Sequence, residues 1–100
     1  MLNKDLLQLI CQYYDVEADE VTNAPRGTTT IIKVRDIYFW ILSRNRHLSH
    51  HEIARLGKRE RSSVTCSLKR TKKRIQDDET FRSEVMAMVS ATSRKEFAIS

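Results

Sequence analysis

Apolar residues recur along this chain at the spacing of one helix face. Leu6, Leu7, Ile10, Cys11 and Tyr14 lie three and four residues apart, the stripe of an amphipathic helix that Asn3 or Asp5 can cap and that ends near Asp15. Residues 16–21 read as a turn or a single short helical turn. Residues 22–30 hold the one proline, Pro25, and one of the two glycines, Gly27, which predicts a loop. Residues 31–44 contain Ile37, Tyr38, Phe39, Trp40, Ile41 and Leu42 in an unbroken run. A helix apolar all round is buried on most sides, so this stretch is expected to be the central core helix.

Residues 49–74 divide into a short helix, a turn and a longer helix. Ser49 and Glu52 make the S-x-x-E capping box. Ile53, Ala54 and Leu56 follow, and Gly57 is expected to stop the helix in the left-handed conformation. Beyond it, Val64, Leu68, Thr71 and Ile75 share one face, which leaves Ser62, Thr65, Cys66, Lys69 and Lys73 on the opposite side. Asp78 can cap a last helix with Phe81, Val85, Met88 and Val89 as its apolar stripe, and residues 91–100 are expected to fray. The expected fold is a single all-α domain over residues 1–90, a small helical bundle with an embedded helix-turn-helix.

Charge sharpens the picture. The net charge is +5 and the pI about 9.5. Nine of the 18 basic residues fall between Arg55 and Arg74, opposed there by Glu60 alone. The first twenty residues instead carry Asp5, Asp15, Glu17, Asp19 and Glu20 against Lys4. A merely solvated helix interleaves its signs; one basic element points to a polyanion.

Other chemistry is poorly represented. The two glycines stand thirty residues apart, so no phosphate-cradling loop exists and no nucleotide cofactor is expected. His51-Glu52 begins like a zinc-protease helix, but Arg55 stands where the second histidine belongs, and no metal site is expected. Asp77, Asp78 and Glu79 fit helix capping better than paired catalytic carboxylates. No apolar run reaches the roughly 18 residues of a membrane span. Cys11 and Cys66 lack partners at metal or redox spacing, which suits a reducing, cytoplasmic setting. The chain reads as a binding module and not an enzyme.

The segments LLQLICQYYDVEADEV, IIKVRDIYFWIL, LSHHEIARLGKRERSSV and IQDDETFRSEV together resemble the C-terminal DNA-binding domain of the bacterial chromosomal replication initiator DnaA. The third is similar to that family's signature L-x-x-I-G-x-x-F-G-G-R-D-H-[ST]-T-V. Ile53, Gly57, Arg59, Ser62, Ser63 and Val64 keep residue type, and the likeness runs from about residue 2 to 89. The resemblance implies an all-helical domain whose helix-turn-helix reads a short asymmetric box on double-stranded DNA. It implies base contacts at the end of the signature, and an arginine of the loop before the central helix in the minor groove, for which Arg26 fits best. Lys33 and Arg35 follow as phosphate candidates.

This chain has one residue fewer between Ile53 and Gly57. Lys58 replaces the second glycine, Glu60 the aspartate and Arg61 the histidine. A carboxylate at 60 can accept from cytosine N4, whereas Arg61 suits guanine O6 and N7. The candidate DNA-binding set is therefore Arg26, Lys33, Arg35, Lys58, Arg59, Glu60, Arg61, Ser62, Ser63, Thr65, Lys69 and Lys73. Ser62 and Ser63 can also cap the second helix, and Arg70 points sideways, toward an acid of the last helix. A rival reading makes the domain a protein-interaction module that docks a replication or regulatory partner.

Overall fold

The structure, a computed structural model, describes residues 3–23 and 27–99, with side chains described as far as residue 92. The helices are α1 (Asn3–Tyr14), α2 (Ala18–Asn23), α3 (Thr29–Arg44), α4 (His50–Gly57), α5 (Arg61–Asp77) and α6 (Glu79–Ile99). No strand occurs among the described residues. The fold is the small all-α bundle that the apolar periodicity predicts.

α3 is its hub. It buries Ile31, Val34, Ile37, Tyr38, Phe39, Ile41 and Leu42, and α1, α2, α4 and α5 all pack against it. Each fully buried aliphatic or aromatic side chain contributes about 1.5–3 kcal/mol, so α3 contributes more to the core than any other helix. It starts two residues ahead of the apolar run, because the Thr28 hydroxyl accepts the Ile31 amide at 3.2 Å and caps the helix. The stretch after α1 is a true short helix, α2, which lays Val21 into the core.

α4 carries the expected capping box. The Glu52 amide donates to Ser49 Oγ at 3.2 Å, and the Ser49 amide donates to Glu52 Oε1 at 3.2 Å. Its other end differs from expectation. Gly57 is the last helical residue, and the left-handed position is Lys58, with φ 54° and ψ 46°. Gly57 is needed for space: a Cβ there would lie 2.5 Å from Cε1 and Cζ of Phe39. The glycine lets α4 close onto the ring of the central helix, and the turn falls to a lysine.

After α5, Asp78 turns the chain with an extended backbone and its carboxylate accepts the Phe81 amide at 3.1 Å. The helix it caps, α6, buries Phe81, Val85 and Met88. Cys11 is buried in the core, where desolvation pushes its thiol up to about 11; it is a packing residue.

Candidate nucleic-acid interface

α4, the turn at residues 58–60 and α5 hold the basic cluster. α5 docks on α3, α4 and α6 through Val64, Ser67 and Thr71, with Leu68 and Ile75 half-buried. The 3.6-residue period then leaves Ser62, Cys66, Lys69 and Lys73 along the outward ridge, all exposed. The helix opens at an extended Glu60 that makes no side-chain cap. Ser62 and Ser63 are thus not caps but exposed first-turn residues. The first amides of α5 keep their partial positive charge beside the exposed Arg61.

A cleft flanks the ridge on each side. The first, of about 360 Å³, is lined by Arg35, Asp36, Arg59, Ser62, Ser63 and Arg70 among others. Its floor is a buried network. Asp36 accepts Ser67 Oγ at 2.5 Å, Arg70 Nε at 3.0 Å and Arg70 Nη2 at 2.7 Å. The fork-to-carboxylate geometry is the strong bidentate form, and it raises the Arg70 guanidinium above its ordinary value. Arg35 donates through Nε to the Val21 carbonyl at 3.0 Å. Burial, reinforced by the nearby Arg59 charge, pushes Arg35 below its ordinary value, with Asp36 acting in the other direction.

The second cleft, of about 450 Å³, is lined by Trp40, Arg44, His50, Thr65, Lys69 and Lys72 together with Ser43, His47 and Leu68. The Arg44 guanidinium lies 4.7 Å from the Trp40 ring centroid. Thr65 donates its one hydroxyl proton to the Arg61 carbonyl at 3.1 Å, so it accepts from His50 Nδ1 at 2.9 Å.

With this geometry in place, two known proteins match the chain. It is 27% identical over 84 residues to the chromosomal replication initiator protein DnaA of Mycoplasma genitalium, and 26% identical over 84 residues to that of Mycoplasma pneumoniae. The match covers 84% of this chain and lies in the C-terminal part of those relatives. The chain is thus similar to the C-terminal part of DnaA proteins. It spans about a fifth of the length of the relatives it matches. No protein-family model matches it.

The expected contact residues separate into groups. Glu60, Arg61, Ser62, Ser63, Lys69 and Lys73 are exposed on α5 or at its start, and Arg59 is half-buried beside them. Lys58 is exposed, and its Nζ donates to Asn23 Oδ1 at 2.7 Å, tying the turn to α2. Thr65 is half-buried and holds His50, so its hydroxyl already has partners. Arg35, a phosphate candidate, is half-buried and lines the first cleft.

Two basic residues are engaged within the fold. Lys33 is drawn inward, its Nζ 2.7 Å from Glu84 Oε2 of α6 and 5.2 Å from the Tyr14 ring centroid. Arg70 pairs with Asp36 of the central helix, and not with an acid of α6. Arg26 lies outside the described residues. Sequence reasoning missed Asp36, although the lone acid of a core helix must find a cation or donors when buried. It also missed Trp40 and Arg44 as a cleft lining, having favoured core for the aromatic run.

Proposed function

We propose that this domain binds double-stranded DNA sequence-specifically, as a helix-turn-helix whose second helix, α5, lies in the major groove. The observation that carries the reading is the outward ridge of α5, which is polar and basic over its length and begins at an uncapped N-terminus beside Arg61. A helix about 10–12 Å across fits the roughly 12 Å major groove. Glu60, Arg61, Ser62 and Ser63 then meet base edges and nearby phosphates, because recognition helices read with their N-terminal residues. Lys69 and Lys73 stand further along and neutralise phosphate. Arg26, on the sequence likeness, serves the adjacent minor groove.

The similarity to the C-terminal part of replication initiator proteins supports a short asymmetric initiator-type box as target. The domain acts by binding, with no catalytic step of its own. Fluorescence anisotropy of a labelled initiator-type box against a scrambled duplex, at physiological salt, tests this. Preference for the box is the expected result. Equal, salt-sensitive binding to both makes the domain a non-specific DNA binder, and no binding to either leaves the protein-docking reading.

A further inference from the structure

We propose that His50 is a positioning residue for base recognition, which acts through Thr65 to fix the first turn of α5, the turn that carries Arg61. The inference rests on the double-stranded DNA reading and gives a role within it to a residue outside the basic pattern.

The chain of contacts is short. His50 Nδ1 lies 2.9 Å from Thr65 Oγ1, which lies 3.1 Å from the Arg61 carbonyl oxygen. Thr65 has one hydroxyl proton and a carbonyl only accepts, so that proton goes to Arg61 and His50 Nδ1 is the donor. The relay thus runs from the start of α4 to the backbone of Arg61, across positions 15 residues apart in its first step.

The two helix starts differ in how they are held. His50 opens α4 directly after Ser49, whose capping box with Glu52 fixes that start. α5 opens at Glu60 with no side-chain cap. α4 packs on α5, burying Ile53 and Ala54 on one helix and Val64 on the other. Apolar contact holds the helices together but is non-directional, whereas a hydrogen bond is directional. The relay therefore supplies the orientation that the uncapped turn lacks. The Thr65 bond to a carbonyl four residues earlier is also of the kind that bends a helix, so its loss re-aims the turn.

Orientation of this turn bears on specificity more than on affinity. Arg61 and Ser62 on it are the base readers of the proposed function, while Lys69 and Lys73 meet phosphate further along. His50→Leu and Thr65→Val are each expected to lower the ratio of box to scrambled affinity about fivefold, the worth of one hydrogen bond. Affinity for the scrambled duplex should hardly change. The double variant should lose no more than either single one, because both break the same relay. His50→Asn, which keeps a donor at the place of Nδ1, and Thr65→Ser should restore the ratio. His50→Gln, which places its amide at the reach of Nε2, should not. In nitrogen-15 NMR of the free protein, the neutral His50 ring should carry its proton on Nδ1 and lose that preference in Thr65→Val.

His50 is exposed, so the variants should keep their helices, as circular dichroism checks. An unchanged ratio in His50→Leu and Thr65→Val overturns the proposal and leaves the DNA reading standing. Equal losses on box and scrambled duplex also overturn it, since His50 would then touch phosphate. Rescue by Gln and not by Asn overturns it in favour of direct contact through Nε2. Failure of the native chain to prefer the box removes the DNA reading itself, and a proton on Nε2 of the free protein removes the relay alone.

Discussion

The two flanks of α5 carry similar formal charge and use it differently. On one, Asp36 reaches up from the central helix and binds Arg70 and Ser67, so a cation of the basic helix fastens the helix to the fold. On the other, Arg44 lies on Trp40 and Lys72 extends into solvent, with no acid lining the cleft. The difference shows that a count of basic residues does not measure what is available to a partner. Arg70 and Lys33 are basic in the sequence and structural in the fold, whereas Arg61, Lys69 and Lys73 are not buried against any partner element.

The largest expected effect comes from breaking the first flank. Arg70→Ala leaves the buried Asp36 carboxylate with Ser67 alone, and loss of one partner of a buried pair costs about 3 kcal/mol. Asp36→Ala should cost less, because the Arg70 side chain is 57% exposed and can return to water. Urea denaturation of the two variants checks the order. Equal losses would mean that the pair behaves as a surface ion pair.

Gly57→Ala tests the same flank from behind. Phe39 lines the first cleft as well as filling the core, and the added Cβ at 2.5 Å must push its ring aside. The expected destabilisation is about 2 kcal/mol, in the range for an overpacked core. A chemical shift map should show the displacement spreading to the Asp36 side of α5 and leaving the Trp40 side quiet.

The ridge between the flanks should respond through binding and not through folding. Arg61→Ala is expected to cost about 1.5 kcal/mol on the preferred duplex and to relax discrimination at one base pair. Thermal unfolding should be nearly unchanged, because Arg61 is exposed. A loss of equal size on preferred and scrambled duplexes would place Arg61 on a phosphate.

The smallest effect is the stability change on the second flank. Arg44→Gln removes a cation–π contact from an exposed residue, which contributes about 0.5 kcal/mol. A loss near that of Arg70→Ala, measured in the same urea series, would show that this cleft too is held together by its cation, and the contrast between the flanks would disappear.

How much of this was legible in the sequence follows from the range of the interactions. The Ser49–Glu52 box, the Asp78 cap and the stripe of Val64, Leu68, Thr71 and Ile75 join residues three or four apart, so the chain determines them wherever the helix forms. The all-α class and the central place of α3 follow from those same periodicities, and the basic ridge is whatever the apolar stripe leaves outside. The pairing of Asp36 with Arg70 joins positions 34 residues apart, and Lys33 meets Glu84 across another helix junction. Such pairs depend on how helices cross. No local pattern distinguishes a lysine that faces a neighbouring carboxylate from one that faces water. Gly57 shows the division most plainly: its sequence context marks the end of a helix, but the approach of Phe39 requires the glycine, and the left-handed turn belongs to Lys58. Local hydrogen bonding and hydrophobic period made the elements, while steric fit and charge pairing between them decided which residues were left to face a partner.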